Sequence, residues 1–175
     1  MMSKFFKKFY WAIIVVAIIA VDQLTKYLIA SNLELHEEVT VIPNFFSIAY
    51  VRNEGIAFGM LSDFGLLSKI LVMILTSVMI VVAILMILKK FVSKPISIVA
   101  VSFIIGGGIG NLIDRAILQY VVDFFAFTFW GRDFAIFNVA DIFVTVGTIL
   151  LILCFFFFEK EGTTVKENVD GNQEL

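Results

Sequence analysis

Between Lys69 and Lys89 the chain reads ILVMILTSVMIVVAILMIL, residues 70–88, without one charged side chain. These 19 residues make ~28 Å of helix at ~1.5 Å per residue, close to the hydrocarbon thickness of a bilayer. A helix that is apolar on every face needs either a large protein core or lipid around it. A chain of 175 residues offers no such core, so the segment reads as a membrane span. Working outward, PISIVAVSFIIGGGIGNLI (residues 95–113) lies between Lys94 and Asp114 and has the same length. Ile142 to Phe158 adds 17 uncharged residues and takes Asn138–Asp141 as its first turn. Phe9 to Val21 has only 13, so that helix must continue through Asp22 and Lys26 to about Ala30. Four spans follow, at about 9–30, 68–88, 95–113 and 138–158, in a single domain over residues 1–158. The basic start at Lys4, Lys7 and Lys8 also fits a signal peptide. Against that, no A-x-A-like cleavage site follows, and apolar residues resume at Tyr27-Leu28-Ile29-Ala30.

Composition agrees and narrows the chemistry. Apolar residues make up 61% of the chain and charged ones 16%, against roughly 45–50% and 25% in a soluble domain. There is one histidine, His36, and one cysteine, Cys154. Neither an internal disulfide nor a dithiol redox pair can form. A His/Cys zinc site lacks ligands, which argues against metalloproteases, thiol oxidoreductases and haem or iron–sulfur carriers. No metal or cofactor is expected, and a net charge of −2 gives no case for nucleic acid. Carboxylates remain as the chemistry.

Lysine and arginine placement orients the spans. Lys4, Lys7, Lys8, Lys89, Lys90, Lys94, Lys160 and Lys166 fall on one side, and Arg52, Lys69, Arg115 and Arg132 on the other. Both termini are therefore expected in the cytoplasm, with residues 32–66 and 114–137 facing outward together. Glu38–Pro43 and Phe45–Arg52 are β-branched and aromatic, split by Pro43-Asn44, and read as a hairpin. Gly55, Gly59 and Gly65 punctuate a mobile outer loop. Residues 159–175, with five acids and two lysines, read as a disordered cytoplasmic tail.

Each charge at membrane depth needs a reason. Asp22 and Lys26 stand one helical turn apart and can pair, which favours a structural role for them. Asp114 and Arg115 close the third span, a usual place for an interfacial anchor. They follow Gly107-Gly108-Ile109-Gly110-Asn111, where small residues allow close helix packing. Asp123 sits among apolar residues in Val121–Phe125, and Asp141 starts the fourth span on the same membrane face. Two desolvated carboxylates brought together share a proton, which provides a base for water and an acid for a leaving amine. Taken singly, Asp141 also fits a helix cap and Asp123 an exposed loop acid. The constellation favours chemistry, because both acids, Asn53, Asn111, Arg115 and Asn138 fall on one face. Two rivals remain, a small proton or ion transporter with a carboxylate relay and a non-catalytic scaffold. A Ser/His intramembrane protease is disfavoured, because His36 lies in a charged loop, and the Gly-x-Gly-Asp motif of presenilin-like proteases is absent.

These residues carry a resemblance. Asp22-Gln-Leu-Thr-Lys26, Asn53-Glu-Gly-Ile-Ala-Phe-Gly59, Gly107-Gly-Ile-Gly-Asn-Leu-Ile-Asp-Arg115, Val121-Val-Asp-Phe124 and Phe137-Asn-Val-Ala-Asp141 occur together and in order. The chain thereby resembles bacterial lipoprotein signal peptidase, also called signal peptidase II, over residues 5–158. The resemblance implies an all-α polytopic membrane protein, four transmembrane helices with a small extracytoplasmic β-cradle and a flexible outer loop. It implies an aspartic endopeptidase of the bacterial cytoplasmic membrane that cleaves diacylglyceryl-modified prolipoproteins just before the lipidated cysteine. It further implies inhibition by globomycin and contact with membrane phospholipid. By motif position, Asp123 and Asp141 become the catalytic dyad. Asn53, Asn111, Arg115 and Asn138 become substrate-binding residues, with Asp22, Lys26, Gly55 and Asp114 as structural support. Two positions depart from the family pattern. Ile142 stands where serine is common, and Gly108 where alanine is frequent.

Overall fold

The computed structural model describes residues 2–54, 65–130 and 132–158. The glycine-punctuated loop with Gly55 and Gly59, and the 159–175 tail, lie outside the described residues. Four helices and four strands follow in order: α1 (Met2–Asn32), β1 (Glu38–Ile42), β2 (Phe46–Asn53), α2 (Gly65–Leu88), α3 (Pro95–Ile117), β3 (Val121–Phe129), β4 (Arg132–Phe137) and α4 (Val139–Phe158). Each helix carries a segment long and apolar enough to cross a membrane. Exposed Val16, Ile74, Val81, Ile149 and Phe156 give the bundle an apolar exterior, the pattern of a protein solvated by lipid.

α3 is the central helix, far more buried than the other three. Three successive glycines make that position possible. A Cβ on Gly106 would stand 2.9 Å from Ile18 of α1, one on Gly108 would stand 3.2 Å from Ile80 of α2, and one on Gly107 would collide with the Ala140 carbonyl of α4. Consecutive helical residues point ~100° apart, so each glycine faces a different neighbour and admits it closely. The aliphatic core beside them consists of Val15, Ile80, Ala83, Val101 and Ile105.

The α1–α2 connection supplies β1 and β2, and the α3–α4 connection supplies β3 and β4. They form one antiparallel sheet in the order β1-β2-β3-β4, so both connections lie at the same end of the bundle. The expected hairpin over 38–52 is present as β1 and β2. β3 and β4 were not legible from the residues themselves, because Val121–Phe129 is nearly continuously apolar rather than alternating. The reason is that Val121, Val122, Asp123 and Phe124 are all buried, so both faces of that strand are covered at its root. Tyr50, Val122, Phe124 and Val139 form a second core that seats the sheet on Ile29 and Leu33 of α1. The third helix also runs past residue 113 to Ile117, which keeps Asp114 and Arg115 on its last turn.

Candidate active site

The start of α4 organises the site. Asn138 precedes the helix, and its Oδ1 accepts the Asp141 backbone N–H at 3.0 Å. Asp141 Oδ2 accepts the Asn138 N–H at 3.1 Å in return. This is a capping box written with Asn and Asp, and it satisfies two donors that the first helical turn leaves open. The third position is served from elsewhere in the chain. Ala140 N–H donates to Asp22 Oδ1 of α1 at 2.9 Å. Asp141 is therefore a helix cap and a site carboxylate at once.

Asp123 enters from β3, where Val51 of β2 is its cross-strand partner. It is 3% exposed, a buried strand residue rather than an exposed loop acid. Asn53 Nδ2, at the end of β2, donates to its Oδ2 at 2.8 Å, and Asn138 Nδ2 donates to its Oδ1 at 2.7 Å. Asn138 thus touches both carboxylates, Asp123 through its side chain and Asp141 through its backbone. Burial, with the Asp141 charge added, pushes the Asp123 carboxyl up to about 6, against the pull of the two amide donors.

Behind the pair lies a buried polar network. Asn111 of α3 donates from Nδ2 to Asp141 Oδ1 at 2.7 Å. Its Oδ1 accepts from Lys26 Nζ at 2.9 Å and from Asn138 Nδ2 at 3.2 Å. Lys26 also pairs with Asp22 at 2.9 Å and with Asp114 at 3.0 Å, so its three ammonium protons meet three acceptors. Asp114 further accepts from Gln23 Nε2 at 2.8 Å and from the Val122 N–H at 3.2 Å. That second bond ties the start of β3 to α3, making Asp114 a buried tether rather than an interfacial anchor. A Cβ on Gly110 would stand 2.5 Å from Asp22 Oδ2, so this glycine leaves room for the carboxylate.

The structure brings Asp22, Lys26, Asn53, Asn111, Asp114, Asp123, Asn138 and Asp141 into one connected set. Arg115 is half-buried beside it, with Nη1 3.4 Å from the Asn111 carbonyl. It lines a cleft with Asn53, Glu54, Lys69, Val72 and Met73. Gly55 falls outside the described residues. Gln23 was not singled out from the sequence as a site residue, although its place between Asp22 and Lys26 was a usable signal. Among the described residues, no group of three or more His, Cys, Asp or Glu is placed to hold a metal ion.

Comparison with known proteins identifies the family and the fold. A family model described as signal peptidase (SPase) II matches residues 14–157. The chain is 45% identical over 153 residues to a lipoprotein signal peptidase of Symbiobacterium thermophilum, covering 86% of this chain and 97% of that one. It is 40% identical over 154 residues to a lipoprotein signal peptidase of Clostridium tetani, covering 86% and 93%. A bacterial membrane enzyme structure obtained by the in meso method superposes with a TM-score of 0.74 at 31% identity, covering 95% of this chain and 93% of that one. With the match spanning all four helices and both halves of the sheet, the chain belongs to the signal peptidase II family.

Proposed function

We propose that this membrane peptidase is an aspartic endopeptidase that removes the signal peptide from prolipoproteins, with Asp123 and Asp141 as its catalytic pair. Its substrates carry a diacylglyceryl group on the cysteine that follows the scissile bond. The observation that carries the aspartic assignment is the bridging of two carboxylates by Asn138, with one of them buried. Close carboxylates in a desolvated place hold one proton between them, which supplies a base and an acid at the same pH.

In the reaction, the ionised aspartate takes a proton from a water whose oxygen attacks the scissile carbonyl carbon. The protonated aspartate donates a hydrogen bond to the carbonyl oxygen as negative charge develops there. Collapse of the tetrahedral intermediate breaks the C–N bond, and a proton passes to the amine of the departing lipidated cysteine. Asn53 and Arg115 line the approach and bind substrate backbone, whereas Asn111 and Asn138, buried against the carboxylates, shape the site from behind. Asp22, Lys26 and Asp114 hold the framework, with Gly55 in the adjoining loop. The acyl chains rest in the bilayer among phospholipids while the peptide crosses the sheet end of the bundle. Residues 1–158 act as one domain, multi-pass in the bacterial cytoplasmic membrane. Both termini are cytoplasmic and the site faces outward. Globomycin inhibits the enzyme.

The test is cleavage by purified protein of a diacylglyceryl prolipoprotein and of its unlipidated form. Cleavage of the lipidated form alone is expected, abolished in Asp123→Asn and Asp141→Asn variants that still insert. Full activity in either inserted variant sinks the dyad, and equal cleavage of both substrates sinks the lipid requirement.

A further inference from the structure

Asn111 and Asn138, like Asn53, present their NH2 groups to carboxylates, and something must hold these two that way round. Asn138 is fixed by its own helix, because its Oδ1 receives the Asp141 N–H. Asn111 has no such backbone donor on its side chain. Its Oδ1 faces Lys26, which has only donors to offer, at 2.9 Å and the Asn138 NH2 at 3.2 Å. A flipped Asn111 amide would set NH2 against the ammonium and against the Asn138 NH2, and an oxygen against Asp141. Lys26 is 3% exposed and is itself held by Asp22 and Asp114.

We propose that Lys26 is a positioning residue for the reaction, acting through Asn111 to hold the Asp141 carboxylate beside Asp123 and, as a buried cation, to keep the pair from taking up a second proton. The inference rests on the dyad reading above and adds what holds the pair in place. Three features fix the Asp141 carboxylate: the Asn111 NH2, the Asn138 N–H, and its place in the first turn of α4. Asp123 stands on a strand, without a helix N-terminus behind it, and is more buried than Asp141. Among the described residues, the charged groups around the pair are Asp22 and Lys26 from α1, Asp114 and Arg115 from α3, Asp123 from β3 and Asp141 from α4, with Glu54 and Lys69 across the adjoining cleft. Lys26 is the cation bonded to Asn111, and its loss removes the shorter of the two contacts that orient that amide together with a positive charge. Both changes make the pair take up a proton more readily.

The test compares pH profiles of kcat and KM for wild type, Lys26→Met, Lys26→Arg and Asn111→Ala on a lipidated prolipoprotein, with thermal unfolding measured alongside. In Lys26→Met, kcat should fall at least about tenfold while KM stays within about threefold, and the acid limb should rise by about one pH unit. Lys26→Arg keeps the charge and a donor and should return the limb toward wild type. A folded Lys26→Met protein whose acid limb stays in place, losing activity only in proportion to its folded fraction, overturns the proposal. If Lys26→Met fails to fold, Asn111→Ala decides. It cuts the link from Lys26 to Asp141 without adding a charge and should show the raised limb; an unmoved limb in the folded variant overturns the proposal. Asp123→Asn and Asp141→Asn run in parallel. Activity in those variants refutes the dyad itself, whereas inactive dyad variants beside an unmoved Lys26→Met limb refute only the positioning role.

Discussion

Adding one methyl group at Gly107 should disable the enzyme, while adding it at Gly108 should not. In Gly107→Ala the new Cβ meets the Ala140 carbonyl oxygen and stands 2.8 Å from Val144 Cγ2, where ordinary contact begins at 3.4 Å. The oxygen belongs to the backbone of the first turn of α4, so no side-chain rotation relieves it. That turn must retreat by about 1 Å, and overpacking of this kind costs ~1–3 kcal/mol. The retreat is opposed by Asp22, which grips the Ala140 N–H at 2.9 Å. Asn138 and Asp141 ride on the same turn, and a ~1 Å misplacement of reacting groups costs on the order of 10²-fold in rate. In Gly108→Ala the Cβ stands 3.2 Å from Ile80 Cγ1 and 3.4 Å from Met79 Cε. Both belong to side chains rather than to backbone and need give by only a few tenths of an ångström, so the cost should stay below ~1 kcal/mol with activity within about threefold. The assay is initial cleavage rate per folded molecule, with folded protein quantified by thermal unfolding in detergent. If Gly107→Ala cleaves as fast as Gly108→Ala, the coupling of helix packing to dyad geometry is wrong.

Other consequences can be checked more briefly. Asp123 binds its proton up to a pH of about 6 when folded, against 3.8 ordinarily, so the folded state holds a proton that the unfolded chain releases in this window. Stability should therefore fall as pH rises from about 4 to about 6, by ~3 kcal/mol from this group. A pH slope of the melting temperature as steep in Asp123→Asn as in wild type would contradict this. Asp22→Ala breaks a fully buried ion pair and uncaps Ala140, which should cost ~3–5 kcal/mol; an unchanged melting temperature would refute it. Lys69→Ala loses a 2.9 Å pair with Glu54, but Glu54 is 65% exposed. The loss should stay under ~1 kcal/mol, and a larger drop in melting temperature would show that the pair does more.

The helices were legible because lipid demands long uncharged runs, and Lys69, Lys89 and Lys94 marked their ends. Asp22 and Lys26 were legible as a pair because their spacing is one helical turn. Their second partners were not, since Asp114 and Asn111 lie 85 or more residues away along the chain and no local spacing encodes that meeting. β3 hid because strand alternation disappears when both faces are covered. Asp141 invites a choice between cap and catalyst, and the two are compatible, since Oδ2 serves the cap while Oδ1 faces the polar network of the proposed site.

The bond from Ala140 to Asp22 spans 118 residues and joins the first helix to the fourth. During synthesis α1 emerges long before α3 and α4, so Asp22 and Lys26 must wait in or near the bilayer without Asn111, Asp114 or Ala140. A lone carboxylate at that depth would resist insertion. Because the two charges sit one turn apart, they can neutralise each other meanwhile, and the arriving helices then exchange that local pair for the full network. The hydrolytic centre consequently cannot exist in a half-made chain: the carboxylate on α4 takes its place only when the earliest span and the fourth have met.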